Sequence, residues 1–367
     1  MHPLDESGLL TRLDPHGMMA LTLDFPAQCE RARQIADDAP VPVLPRAPRQ
    51  VLVCGMGGSA IGGDYLRALF EEYGDLPVQV IRDYTLPHSV DAHTLVFAVS
   101  YSGNTEETLA CYGQARAREA MILAVSSGGE LQRRAHADGV YHLQVPGGQP
   151  PRTALGYLFI PLMRLAERLG LLPDLSQPYS QMLQRLVQTR DALQMSVPYE
   201  QNPAKQLAQA LHRRIPLIYG SGGARATVAM RWKGQINENA KQHAFAYTFP
   251  ELNHNEILGW VKASEQAGNW SVVVLRDPDE SAKIRTRLEV TRRLVGDRAE
   301  WHELTAEGAS QLERLMHLTY FGDFVSLYLA LLNAVDPENI DYINILKAEL
   351  AKVGEYQSPS QSSQKYG

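Results

Sequence analysis

Cysteine is scarce in this sequence: three in 367 residues, Cys29, Cys54 and Cys111, scattered and without paired metal-ligand spacing. A disulfide framework is excluded, and a reducing compartment, the cytoplasm, is the expected location. A long basic tract is also missing, and the formal net charge is -6. The electrostatic footprint of a nucleic-acid or anionic-membrane binder is therefore absent, and neither partner is expected. No uninterrupted apolar run of about 18 residues occurs, and the opening "MHPLDESGLL" has no basic region followed by an apolar stretch. Neither a membrane span nor a secretory signal is expected. There is no G-x-x-x-x-G-K-[ST] phosphate loop, no H-E-x-x-H and no compact His/Asp/Glu cluster, so no metal site is expected.

What remains is an ordinary globular composition, 44% hydrophobic and 21% charged, with 28 glycines and 22 prolines spread along the chain. At roughly 100–200 residues per domain, the length suits two cores. A helix is expected over Met18–Asp37, ended by the proline-rich "APVPVLPRAP". Short apolar runs then alternate with helical segments: "QVLVCGM" from Gln50, "PVQVI" from Pro77, "TLVFAVS" from Thr94, "MILAVSS" from Met121 and "GVYHLQV" from Gly139. Runs apolar on both faces suit a parallel sheet covered by helices, an α/β doubly wound layout. The alternation returns with "RIPLIYGSGG", "NWSVVVLRD" and "AEWHELTA", and closes on an apolar helix near Leu312–Asn333. "VLVCGMGGSAIGG" from Val51 and "PLIYGSGGARATV" from Pro216 share strand, G-x-G-G and helix, about 165 residues apart. Such spacing points to one architecture used twice. The expected domains are an N-terminal helical segment (1–45), a first α/β domain (46–153), a helical bridge (154–212), a second α/β domain with C-terminal helices (213–352) and a disordered tail (353–367).

A strand that ends in glycines and turns into a helix presents unpaired N–H groups at the positive end of the helix dipole, which favours an anion. "GMGGSAIGGD" from Gly55 has this form. It also fits the loose dinucleotide fingerprint G-x-G-x-x-[G/A], but Asp83 follows Gly55 by 28 residues where about 20 is expected. "SYSGNTEET" favours phosphate. It places the hydroxyls of Ser100, Ser102 and Thr105 around Gly103, where the backbone can approach closely, with a helix expected from near Asn104. These donors are all neutral and suit a compact phosphomonoester. Glu106 and Glu107 are expected only to complement the helix dipole.

Together the two motifs resemble the sugar isomerase (SIS) family of phosphosugar-binding domains. With "PRTALG" (Pro151–Gly156), "NENAK" (Asn237–Lys241) and "ELNHNE" (Glu251–Glu256), the chain resembles the bifunctional phosphoglucose/phosphomannose isomerases from about Leu52 to Leu350. The resemblance implies two SIS-type doubly wound subdomains, each a mostly parallel sheet flanked by helices. It implies that Gly57, Gly58, Ser59, Ser100, Ser102 and Thr105 bind the sugar phosphate and that Glu238 moves a proton between C1 and C2. It further implies that His254 opens the sugar ring, Arg152 stabilises the enediolate and Lys347 assists ring opening. A homodimer with His254 donated across the interface is also implied. The segment "IDYINIL" before Lys347 lacks the threonine that accompanies this lysine in bifunctional members.

The residues agree with this chemistry. Moving a proton between C1 and C2 through a cis-enediol needs a base, an acid/base at the ring oxygen and positive charge near the enediolate, with no obligatory metal or redox cofactor. Glu238 belongs to a helical run whose apolar stripe is Val228, Trp232, Ile236 and Ala240, and it lies on the flank shared with Arg231 and Gln235, where it can face a cleft. His254 sits in a polar loop between apolar runs, where functional groups concentrate. The expected activity interconverts glucose 6-phosphate with fructose 6-phosphate, with mannose 6-phosphate as the second aldose. The alternatives are a non-catalytic phosphosugar sensor, an amino-sugar phosphate isomerase and a dehydrogenase using the Gly55 turn.

Overall fold

The computed structural model describes residues 2–353, and the tail expected to be disordered lies, from residue 354 on, outside them. Helices α1 (Leu9–Leu13), α2 (Met18–Leu23) and α3 (Phe25–Asp38) open the chain. The single helix expected over Met18–Asp37 is therefore two. Pro26 cannot donate to the carbonyl four residues back and its ring crowds the preceding turn, so it is tolerated in the first turn of a new helix, where it sits.

Then follow β1 (Gln50–Cys54), α4 (Gly57–Tyr73), β2 (Val78–Ile81), β3 (Thr94–Val99), α5 (Glu106–Ala117), β4 (Met121–Ser126), α6 (Gly129–Ala137) and β5 (Tyr141–Gln144). Helices α7 (Leu155–Arg168), α8 (Ser176–Leu193) and α9 (Pro203–Leu211) come next. The chain then runs through β6 (Ile215–Gly220), α10 (Arg225–Ala240), β7 (Phe245–Thr248), β8 (Trp270–Arg276), α11 (Ala282–Val295), β9 (Glu300–Thr305), α12 (Gln311–Leu332) and α13 (Asp341–Leu350).

Two compact units form, one from residues up to Pro26 with Leu175–Asn339, the other from Ala27–Asp174 with the chain from Ile340 on. The stretch read as one helical bridge is divided between them: α7 belongs to the first-sheet unit, α8 and α9 to the second-sheet unit.

The first sheet has the order β2-β1-β3-β4-β5 and is parallel throughout. Strands β3 and β4 are buried at every position because helices cover both faces. One core gathers Leu52, Cys54, Val96, Ala98, Ile122 and Ala124 under Cys111, Tyr112 and Leu131. From β1 the chain first adds β2 on one side, then crosses to β3 on the other. That reversal opens a crevice at the carboxyl ends of β1 and β3, where open α/β sheets bind ligands.

The second sheet, β7-β6-β8-β9, is also parallel and repeats the order of the first four strands. Its reversal lies between β6 and β8. Helix α12 is long and apolar enough to cross a membrane, yet 94% of its most apolar window is buried inside the protein. It is the core helix of this unit, packed by α2, α8, α9 and α10. Tyr320 on α12 packs tilted against Phe25, ring centroids 5.2 Å apart, and its hydroxyl donates to Thr22 O at 2.7 Å.

Candidate active site

The glycine turn and the serine loop meet at the first crevice, one after β1 and the other after β3. Helix α4 starts at Gly57 without a side-chain cap, so its first N–H groups are left for a ligand. Ser59 is buried and its Oγ accepts from Tyr101 N at 3.2 Å, tying the two loops together. Ser102 is exposed and its Oγ accepts from Asn104 N at 3.2 Å. Ser100 is fully buried, accepts from Thr105 N at 3.3 Å and shares a hydrogen bond with Thr105 Oγ1 at 2.8 Å.

Each hydroxyl that accepts from a backbone N–H keeps its own proton to give. Ser59, Ser102 and one member of the Ser100–Thr105 pair thus remain donors, held in place before an anion arrives. Helix α5 begins at Glu106, two residues later than expected, because Thr105 is extended and serves as its cap position.

The serine loop is fixed from behind by the turn after β4. Leu131 N donates to Gly103 O at 2.8 Å, Ser127 Oγ to Tyr101 O at 2.7 Å and Glu130 N to Asn104 Oδ1 at 2.9 Å. Gly103 has φ +74°, and a methyl there would lie 1.8 Å from Gly128 O. Ser126 Oγ, buried, contacts both Gly128 O and His142 Nε2 at 2.8 Å, so this turn has its own polar anchor.

Arg152 joins this group. The 3-10 turn Pro151–Thr153 lies against the glycine turn, and a methyl on Gly58 would come within 2.6 Å of Pro151 O. Arg152 itself is buried, 5% exposed as a residue. Gln28 on α3, also buried, holds the turn by both ends of its amide: Nε2 donates to Thr153 O at 2.9 Å and Oε1 accepts from Gly156 N at 2.8 Å. Nothing in the sequence around Gln28 marks it, because its partners are 125 and 128 residues away.

Glu238 and His254 belong to the second-sheet unit. Glu238 is half-buried near the carboxyl end of α10, and its backbone carbonyl accepts from Lys241 Nζ, which also reaches Pro337 O at 3.1 Å. The flank shared with Arg231 and Gln235, expected to let Glu238 face a cleft, is closed at those two positions. Both residues are buried against Asp323 of α12, and Glu238 is at the rim of that seam.

His254 is exposed on the loop after β7. The rest of "ELNHNE" secures the loop: Leu252 is buried, Asn253 Nδ2 donates to Thr291 Oγ1 at 2.9 Å, and Glu256 accepts from Tyr219 OH. Burial, with Glu256 beside it, keeps the Tyr219 phenol protonated far above the usual range. Helix α10 returns from the carboxyl end of the sheet to its amino end, whereas His254 follows the carboxyl end of β7. Within one chain, then, these two residues lie at opposite ends of a strand about 13 Å long.

The second glycine turn, Gly220–Gly223, has its anion supplied from within. Where Ser100 follows β3, Asp277 follows β8, and its buried carboxylate meets Arg225 Nη1 at 2.8 Å and Arg314 Nε at 3.3 Å. Burial alone would raise the carboxyl of neighbouring Glu280, but hydrogen bonds from Arg276 and Asp277 N outweigh it and hold Glu280 below its ordinary value.

Two domain families match in tandem: residues 46–148 match the SIS domain, and residues 200–350 the bacterial phospho-glucose isomerase C-terminal SIS domain. Over 337 residues the chain is 40% identical to the bifunctional phosphoglucose/phosphomannose isomerase of Caldicellulosiruptor bescii, a match covering 92% of this chain and 99% of the relative. The chain belongs to the bifunctional phosphoglucose/phosphomannose isomerase family.

A D-glucosamine-6-phosphate 4-epimerase of Sulfolobus acidocaldarius is 33% identical over 258 residues, covering 68% of this chain and 76% of that protein. The crystal structure of a hypothetical protein from Thermus thermophilus shares the fold, with TM-score 0.72 over 94% of this chain and 92% of that one at 17% identity. In this member of the isomerase family the glycine turn, the serine loop and Arg152 are assembled in one unit. The third cationic candidate, Lys347, is carried on α13, a helix exposed along its whole length.

Proposed function

We propose that this chain interconverts glucose 6-phosphate, and mannose 6-phosphate, with fructose 6-phosphate through a cis-enediol. The observation that carries the proposal is the cradle of neutral, pre-oriented donors at the first crevice, with the buried Arg152 turn packed on its glycine edge. The phosphate is held by the N–H groups at Gly57 and Gly58 and by the hydroxyls of Ser59, Ser102 and the Ser100–Thr105 pair. His254 protonates the ring oxygen as the O1 hydroxyl gives up its proton, opening the ring, and Lys347 assists this step. Glu238 takes the C2 proton of the open aldose as O1 is protonated, giving the cis-enediol, and returns it to C1 as O2 gives up its proton. Arg152 stabilises the negative charge that develops on the enediolate oxygens, where a fixed charge contributes most to lowering the barrier.

The loop carrying the exposed His254 follows the opposite end of β7 from Glu238, which leaves His254 open to reach another chain. This supports a homodimer in which His254 crosses to the partner's site.

A coupled assay with glucose, mannose and glucosamine 6-phosphates, reading fructose 6-phosphate formation, tests the substrate class. Both neutral hexose phosphates should turn over, and the epimerase relative makes the amino sugar the informative control. Tight sugar-phosphate binding without turnover of any of them would establish a sensor instead. Glu238→Gln should retain phosphosugar binding and lose isomerisation by at least about 1,000-fold.

A further inference from the structure

Helix α10 is seated on α12 through polar contacts as well as apolar ones. Trp232 packs face to face with Phe321, 6.1 Å between centroids, and its Nε1 donates to Leu318 O at 2.9 Å. Beside it lies a seam of buried polar groups. Arg231 Nη2 donates to Asp323 Oδ2 at 2.8 Å and Gln235 Nε2 to Asp323 Oδ1 at 2.9 Å, so both carboxylate oxygens are engaged from successive turns of α10. One turn on, Asn239 Nδ2 donates to Ser326 Oγ at 2.9 Å, and Asn333 Nδ2 closes the end of the helix on Ala240 O at 2.9 Å.

Burying this pair is costly. Asp323 is buried, and burial raises its carboxyl against the opposing pull of Arg231. Apolar residues of similar volume would commonly serve stability as well or better. What they would not do is fix register, since a smooth apolar seam lets a helix slide or rotate by fractions of a turn. A carboxylate gripped from two turns does not. Glu238 lies three residues past Gln235 and one before Asn239, bracketed by those grips.

We propose that the Arg231–Asp323–Gln235 fork is a positioning device for the base, setting the rotation and axial register of α10 so that the Glu238 carboxylate meets C1 and C2. This rests on the reading of Glu238 as the base.

The test uses the full-length chain in four forms: wild type, Glu238→Gln, Asp323→Asn and the paired apolar variant Arg231→Met/Asp323→Leu. Melting midpoint, kcat, KM for fructose 6-phosphate and deuterium wash-in at C2 are measured for each. The apolar pair should melt at or above the wild type, yet lose about 10- to 100-fold in kcat and in wash-in with KM within about twofold, because a misplacement near 1 Å costs that much. Asp323→Asn, which keeps the shape and one acceptor oxygen but turns an NH2 group toward the other facing donor, should lose less kcat than the apolar pair at an unchanged KM.

Wild-type kcat in the apolar pair would overturn the proposal and leave the fork a packing unit. Should the apolar pair fail to fold, wild-type kcat in Asp323→Asn together with a lowered melting midpoint would overturn it equally. Full turnover in Glu238→Gln would overturn the assignment of the base and the fork's role with it. An inactive Glu238→Gln beside a fully active apolar pair would sink the positioning claim alone.

Discussion

Gly103 shows how little freedom a single residue has in the proposed phosphate cradle. Its φ of +74° lies where L side chains are strained, and an added methyl would sit 1.8 Å from Gly128 O. Gly103→Ala must therefore push the serine loop away from the turn behind it. KM for fructose 6-phosphate is expected to rise by at least about tenfold, with a smaller fall in kcat, since loss of ground-state binding appears mainly in KM. Wild-type steady-state kinetics in that variant would contradict the role given to the loop. The anchor behind the loop brings a pH dependence of its own. Burial, with His136 nearby, pushes His142 down to about 4 from 6.5. Above pH 6.5 the ring is neutral whether the chain is folded or not. Below it the unfolded chain takes up a proton that the folded one refuses until about pH 4, so stability present at neutral pH is lost as the pH falls through that window. With the ring partly exposed, the loss should be about 1–3 kcal/mol between pH 7 and pH 4. It is read as the difference between wild type and His142→Gln in urea midpoints across that range, and parallel profiles would contradict it.

Among the elements, the two crevices make a natural experiment: the same strand order and the same glycine turn, with hydroxyls in one and Asp277 in the other. Asp277→Ala leaves Arg225 and Arg314 facing each other without their buried carboxylate. That should cost about 3–5 kcal/mol, the usual result of breaking a buried pair from one side, seen as a lower urea midpoint, and an unchanged midpoint would show the pair to be solvated. This scale also shows which features the sequence makes legible. The central strands, both glycine turns and the serine loop are local in origin: continuous apolar runs, glycines, and hydroxyls at fixed offsets. Their positions could be read without any partner in view. Pro26 was equally visible, but the apolar periodicity across it masked the break between α2 and α3. The seam on the flank of α10 stayed hidden for a different reason. Arg231 and Gln235 look like solvent-facing residues until Asp323, 92 and 88 residues away, is placed against them. Gln28 and the Ser126–His142 anchor are likewise defined by their partners.

For the whole molecule, the proposal that a second copy completes the site makes a quantitative prediction. Glu238→Gln and His254→Asn chains should each be inactive as homodimers. Mixed in equal amounts and allowed to exchange subunits, half the dimers are mixed and each holds one intact site, so about a quarter of wild-type activity should return. No recovery after demonstrated exchange would show that each chain carries a complete site. The pairing of α2 with α12 bears on how such a chain is made. Thr22 and Tyr320, joined by a hydrogen bond, are 298 residues apart, and loop-closure entropy opposes their meeting until the intervening sheets have formed. During synthesis, the helices that leave the ribosome first must wait for the core helix that leaves almost last. The first-sheet unit from Ala27 to Asp174 has nearly all its residues within that span and can condense early. The second-sheet unit is closed only when α12 emerges and meets α2, so its apolar surface stays uncovered longest while the chain is unfinished.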